Sequence, residues 1–293
     1  MGETTAISWT DKTFNPWVGC LKVSPACDGC YAENLMANRY GRVEWGAPGK
    51  GAGTRSRTSR GNWHQPVRWN AEAERNGSRP FVFCASLADV FDNQVPTEWR
   101  ADLFDLIRKT PRLVWLLLTK RPQNIVEMVD DLRAGLPCNA ALGATCEDQK
   151  RADANRKHLA FSKSALRPAF TFLSCEPLLS GIELHLSPGG ALQEDWIITG
   201  GETDQGAHRA RPSNPQWFRN IRDQCAAAGV PFHHKQNGEW ASVSEVEGSG
   251  EHFTFPDGRT VRRVGKKASG RTLDGVTHDA FPSIRKVQPE FVA

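Results

Sequence analysis

The chain has 293 residues, 39% of them apolar and 24% charged, with a formal net charge of +4. That composition suits a folded soluble protein long enough to bury a sizeable core, and it excludes collagen-like and wholly disordered classes. No apolar run approaches the roughly 18 residues of a membrane span, and Met1-Gly-Glu-Thr-Thr has neither the basic nor the apolar part of a secretory signal. A cytoplasmic protein with no membrane partner is therefore expected.

A first strand is predicted over residues 13–18, then a loop carrying Cys20, Cys27 and Cys30, then a helix over 31–40. Residues 41–77 hold Gly46, Pro48, Gly49, Gly51, Gly53 and Gly61 among basic and Ser/Thr residues, which predicts a loop or lid. From 39 to 79 there are nine Lys/Arg against three Glu. Such a basic patch fits a phosphate-rich partner, or else a solvated surface. Strands and helices then alternate. Strands are predicted over 81–86, 113–118, 141–145, 170–174, 196–199 and 230–234, and helices over 97–109, 125–133, 149–161 and 215–228. Alternation of this kind implies parallel strands joined by right-handed crossovers. The expected fold is α/β, a full or partial (β/α) TIM-type barrel over residues 1–240 with a basic, Gly-rich insertion at 41–77. An open, doubly wound sheet is the alternative. Beyond Trp240 the chain is polar and turn-rich, with six Lys/Arg between 252 and 271, so 241–293 reads as a small appended hairpin packed on the barrel.

In β/α barrels chemistry sits where strands end and the following loops begin. Here each apolar run is followed by polar residues: Ser86 and Asp89; Thr119, Lys120 and Arg121; Thr145 and Glu147; Ser174 and Glu176; Glu202; Lys235 and Gln236. Together they predict one rim able to hold a zwitterionic or phosphorylated cofactor, although strand ends are also polar simply because they meet water. The sharper signal is Cys20-x6-Cys27-x2-Cys30, directly after the first predicted strand. Three thiolates from one short loop can hold three irons of a [4Fe-4S] cluster and leave the fourth iron open. Gly19 and Gly29 would let the backbone wrap the inorganic core. Zinc is a second reading, with His64 or Cys84 as the missing fourth ligand. Three inert buried thiols are a third. Cys84, Cys138, Cys146, Cys175 and Cys225 are scattered singly.

Arg55, Arg57 and Arg60, interleaved with Trp63, His64 and Trp69, combine cations with stacking surfaces as nucleic-acid grooves do. Arg121, Arg209 and Arg211 are candidates for further phosphate contacts. No residue is singled out as catalytic.

The motifs Asn15-Pro-Trp-x-Gly-Cys20, Cys27-x2-Cys30-Tyr-Ala, Leu118-Thr-Lys-Arg-Pro122, Leu142-Gly-x-Thr145, Ser174-x-Glu-Pro-Leu-Leu179, Gly200-Gly-Glu202 and Lys235-Gln-x-Gly238 run over most of the chain, from about residue 8 to 282. In them the sequence resembles a phage and bacterial three-cysteine-motif family of unknown function, itself similar to radical S-adenosylmethionine enzymes. The resemblance implies a partial β/α barrel with a [4Fe-4S] cluster on Cys20, Cys27 and Cys30 and S-adenosylmethionine on the open iron. Electron transfer from a reductant protein would then generate a 5′-deoxyadenosyl radical. Ser86 and Asp89, on the second strand, are the positional candidates for the cofactor's amine and ribose. The usual radical-enzyme motif has three residues between the first two cysteines and an aromatic before the last. This chain has six, with Gly29 in the aromatic's place. The expected function is a radical enzyme that modifies or repairs a nucleic acid or nucleotide, with a partner protein as a further expectation. Two other readings are a non-catalytic Fe–S or zinc nucleic-acid-binding protein and a metal-dependent barrel hydrolase using Glu147, Glu176 and Glu202.

Overall fold

The computed structural model describes residues 5–190 and 193–285. In chain order the elements begin with β1 (Lys12–Thr13) and β2 (Trp17–Val18), then α1 (Tyr31–Glu33), which runs on as one π-helical stretch (Asn34–Arg39). Next come β3 (Ser56–Arg57), α2 (Arg60–Trp63), α3 (Gln65–Arg75), β4 (Phe81–Cys84), α4 (Thr97–Arg108), β5 (Val114–Thr119) and α5 (Ile125–Asp130). The series continues with β6 (Ala140–Thr145), α6 (Gln149–Leu166), β7 (Thr171–Cys175), β8 (Trp196–Gly200), α7 (Pro215–Ala228) and β9 (Phe232–Gln236).

Seven strands form one parallel sheet in the order β1-β4-β5-β6-β7-β8-β9. A doubly wound sheet reverses its strand order at a switch point; this one never does. Side chains show that it curls. The Phe81 ring, on β4, lies 6.0 Å from that of Trp196 on β8. Four strand spacings of about 4.8 Å would separate them by roughly 19 Å in a flat sheet. Alternate residues therefore face two different cores. Phe81, Val114, Leu116, Phe172, Trp196 and Ile198 point inward, with Trp9 and Phe170, and no residue of the crossover helices joins them. Val82, Trp115, Leu117, Leu142, Leu173 and Ile197 point outward against Leu103 and Phe104 of α4, Leu159 of α6 and Ile221 of α7. The aromatics of the inner core sit at the N-terminal ends of their strands and plug that end of a partial barrel.

The first predicted strand is split. Thr13 pairs with β4, whereas Trp17 and Val18 pair antiparallel with β3. Pro16, between them, has no N–H to give a ladder. Residues 41–77 are not all loop: α3 buries Trp69 and Ala73. The glycines that suggested a lid stop at Gly61, and from Trp63 to Arg75 there is none. The chain beyond Trp240 is also more than a hairpin. It forms a three-stranded sheet, β10 (Trp240–Ser242), β11 (His252–Thr254) and β12 (Thr260–Arg263), then α8 (Lys266–Ser269), β13 (Thr272–Leu273) and β14 (Val276–Thr277). Trp240, Phe255 and Val261 make a small core against Trp217 of α7. Residues 286–293 of the predicted appendage lie outside the described residues.

His233 and His234 of β9 are both fully buried. His234 bonds Thr199 Oγ1 through Nδ1 and Asn237 Oδ1 through Nε2, each at 2.9 Å. Because Asn237 Oδ1 can only accept, Nε2 carries a proton, and in the neutral ring Nδ1 accepts from Thr199. Burial pushes its pKa down from 6.5 to about 4, against the Asn237 hydrogen bond, which works the other way. The unfolded chain therefore takes up this proton first, and stability falls as pH drops from the ordinary value towards the depressed one. Between pH 7 and 5 this group should cost about 2 kcal/mol. Urea unfolding at the two pH values checks it: His234→Gln should lose less stability than the parent by about that amount, and an equal loss would refute the assignment.

Candidate functional site

Backbone contacts hold the cysteine loop to the segment after β4 and to the insertion that carries Gly46. Gly19 N–H donates to Leu87 O (3.1 Å) and Gly46 N–H to Cys20 O (3.0 Å). Pro25, Ala26 and Cys27 make one turn of 3-10 helix, and Cys30 is the N-cap of α1. Gly19 has φ +105°, and any Cβ there would overlap the carbonyl of Thr54. At Gly29 a Cβ would lie 2.6 Å from the ring of His208 and 3.1 Å from Glu202 Oε1. Close packing against the Thr54 backbone thus requires glycine at 19, whereas at 29 the crowding comes from the His208 and Glu202 side chains.

Cys20, Cys27 and Cys30 line a single cavity of about 130 Å³, together with Ser86, Asp89, Thr119, Lys120, Arg121 and Thr145. Half of the predicted rim is thereby brought together. Asp89 is buried and fully engaged: it accepts from Thr119 Oγ1 (2.7 Å), Phe91 N–H (2.9 Å), Lys120 N–H (3.1 Å) and Arg121 Nη1 (2.9 Å). Arg121 in turn donates to Leu21 O (2.7 Å) and approaches Cys20 Sγ at 3.6 Å. Ser86 is held by Asn15, whose Nδ2 donates to its Oγ at 3.0 Å. Asp89 and Ser86, expected to meet a cofactor's ribose and amine, thus line the cavity while already hydrogen-bonded within its wall.

Burial, reinforced by Asp89, raises the Cys20 pKa to about 12 against the opposing pull of Arg121; burial raises Cys30 as well. Burial disfavours the Lys120 ammonium, yet Cys27 and Cys30, then Glu147 and Asp89, outweigh it and hold its pKa above the usual lysine value. The site thus sets two cations beside three sulfurs.

The rest of the rim lies elsewhere. Glu176 pairs with Lys235 (3.2 Å) and accepts from Ser174 (3.3 Å). Glu202 accepts from Arg211 Nε (2.8 Å) and Nη2 (2.5 Å), and His208 Nε2 stands 3.2 Å away. Burial alone would raise the Glu202 carboxyl, but Arg211 wins and holds it below the usual glutamate range. Arg211 also reaches Pro25 O (3.0 Å) and Asp28 (3.3 Å), so it ties the cysteine loop to the end of β8. Glu147 opens onto a neighbouring groove.

Of the predicted nucleic-acid contacts, Arg55 is spent on Asp92 at 2.5 Å, with both side chains buried. Arg57 pairs with Asp102 (2.7 Å) and stacks on Trp63 at 4.4 Å. Trp69 is core. Arg121 and Arg211 are likewise engaged, which leaves Arg60 and Arg209 exposed. Sequence reasoning missed Asn15, Asp28 and Asp92, whose partners are far away in the chain; Asn15 beside Pro16 after a strand was the one local signal.

Among the described residues no three His, Cys, Asp or Glu side chains lie close enough to hold one metal ion. A tetrahedral zinc needs its ligands about 2.0–2.3 Å from a single point. Neither zinc on this loop nor a hydrolase metal on the rim glutamates is supported. Three thiols lining one cavity, with no imidazole among them, are of the donor type that a cluster of several irons takes. The residues present fit such a group.

No curated protein matches the chain. Among solved structures, a double mutant of spore photoproduct lyase with bound AdoMet and dinucleoside spore photoproduct is similar at a TM-score of 0.42 and 9% identity, over 87% of this chain and 68% of that one. Among the described residues no helix is long and apolar enough to cross a membrane. A family model matches residues 4–282, and the chain belongs to that family, described as a protein of unknown function (DUF5131).

Proposed function

We propose that Cys20, Cys27 and Cys30 hold a [4Fe-4S] cluster whose open iron takes S-adenosylmethionine, and that the protein is a radical enzyme modifying or repairing a nucleic acid or nucleotide. The convergence of the three thiols on one cavity at the strand ends, beside Lys120 and Arg121, carries this reading. When bound, such a cluster passes an electron from a reductant protein to the sulfonium of S-adenosylmethionine, the cofactor's own chemistry. The chain's part is to bind and to shield. Arg121, fixed by Asp89, offsets charge at Cys20, and Lys120 does so at Cys27 and Cys30. Leu21 and Val23 of the loop, with Trp45 and Leu118, give the cavity apolar walls that limit water. Of the cations expected to meet a phosphate backbone, Arg60 is exposed, and Arg209 is exposed with Asp204 at 3.7 Å.

Anaerobic purification with iron and sulfide analysis tests the reading, followed by EPR of the reduced protein with and without S-adenosylmethionine. About four irons and four sulfides per chain are expected, with a spectrum that the cofactor perturbs, and loss of both in Cys27→Ser. A cluster indifferent to S-adenosylmethionine would remove the radical chemistry and leave an Fe–S binding protein. Zinc without sulfide would overturn the assignment.

A further inference from the structure

Beside the cysteine cavity lies a groove of about 570 Å³, between the loop residues Leu21 to Ser24 and the first turns of α6. It falls within the roughly 300–1,000 Å³ of small-molecule sites. Two of the charges that face it are already neutralised: Asp92 by Arg55 and Arg121 by Asp89. Three cations remain. Lys120 and Lys150 have no side-chain hydrogen bond or ion pair among the described residues, and Arg151 meets only Glu147 and Asp148, at 3.9 and 3.6 Å. The N-terminal end of α6 adds its positive dipole from the same side.

Against them stands one acid. Glu147 is only 1% exposed, yet its Oε1 accepts no hydrogen bond. Arg151 Nε at 3.9 Å is too distant to donate. Leaving a buried carboxylate oxygen without a donor is costly, so this oxygen is set to receive one from a ligand. The third feature is apolar. Leu21 and Val23 line the groove, and Val23 is 39% exposed, one of the few large apolar side chains at the surface.

We propose that this groove binds a nucleoside phosphate. Lys150 and Arg151 hold the phosphate, Lys120 faces both the ligand and the cysteine cavity, Glu147 Oε1 accepts from an N–H on the edge of the base, and Leu21 and Val23 cover its face. A sugar phosphate would satisfy the cations and offer a hydroxyl to the buried acceptor, but it would leave the apolar wall uncovered. The proposal rests on the cluster reading for the groove's role as a substrate site next to the reactive centre, but its binding claim can be tested separately.

The test is calorimetric titration of the purified protein, before and after iron reconstitution, with AMP, GMP, CMP and UMP, and with ribose 5-phosphate and inorganic phosphate as controls. At least one nucleotide should bind about tenfold more tightly than ribose 5-phosphate, a gap of about 1.4 kcal/mol. Lys150→Glu, an exposed substitution that touches no partner in the fold, should weaken that binding about tenfold or more. Glu147→Gln should reorder the preference among bases, and an unchanged order would overturn the base contact. Equal binding of inorganic phosphate and nucleotides overturns the proposal, as does indifference to Lys150→Glu or the absence of nucleotide binding in both preparations. Iron and sulfide are read on the same samples. Iron and sulfide without nucleotide binding reject the groove and spare the cluster, and nucleotide binding without them does the reverse.

Discussion

Asp89→Ala is expected to cost the fold about 3–5 kcal/mol, the range for removing one partner of a buried ion pair. The magnitude follows from what is left behind rather than from what is lost. Arg121 is 5% exposed at its side chain and would keep its charge in the core with Leu21 O and Cys20 in contact and only the more distant, Arg55-paired Asp92 to offset it. Thr119 Oγ1 and the N–H groups of Phe91 and Lys120 would lose their acceptor at the same time. Asp89→Asn keeps the shape and one acceptor oxygen, so it should cost less, about 1.5–3 kcal/mol for a hydrogen bond made to a charged group. Chemical unfolding of the three proteins measures both. If Asp89→Ala and Asp89→Asn were equally mild, the carboxylate would not be what holds the strand ends of β4 and β5 together. Because the same network forms the wall of the cysteine cavity, Asp89→Asn should also lower iron retention while the protein stays folded.

What could be read in the sequence has a common physical character. The strand–helix alternation after Phe81 is local, carried by apolar runs of strand length and by helices such as Thr97–Arg108 and Pro215–Ala228, two that came out within a residue, while α6 runs to Leu166, five residues past its expected end, and α5 stops three short at Asp130. The three cysteines and the strand-end residues Thr119, Lys120 and Thr145 were also legible, since a parallel strand order fixes which chain ends share a rim. Partners were not. Arg55 looks like a free cation until the fold brings Asp92 to it from 37 residues away. Arg211 meets Asp28 across 183 residues. Glycine density also misled, because it described residues 46–61 but was extended over α3, whose Trp69 and Ala73 are core. The rim itself proved divided, since Glu176–Lys235 and Glu202–Arg211 each closed on themselves instead of joining the cysteine cavity.

That second closed pair leads to the other large effect. Arg211→Ala should lower the affinity of the cysteine loop for iron about tenfold or more, as loss of groups that orient metal ligands does, without touching any thiol. Arg211 is the one side chain that grips Glu202 on one side and Pro25 O and Asp28 on the other, so it pins the turn that carries Cys27. Removing it leaves Glu202, 4% exposed, with the backbone N–H of residue 211 at 2.8 Å and His208 at 3.2 Å in place of the guanidinium. Arg211 itself is partly solvated, so the cost in global stability should stay near about 2 kcal/mol. The effect on iron should therefore exceed the effect on folding. Arg211→Lys would keep a charge near Glu202 but cannot fork to the carboxylate and to the loop at once, so it should restore stability more fully than iron content. Parallel measurement of iron per chain and of the unfolding midpoint separates the two. If iron retention merely tracks stability through both variants, Arg211 is a scaffold residue only. If iron falls in Arg211→Lys while the midpoint recovers, the β8 end and the cysteine loop act as one clamp, closed by a side chain that belongs to neither cavity.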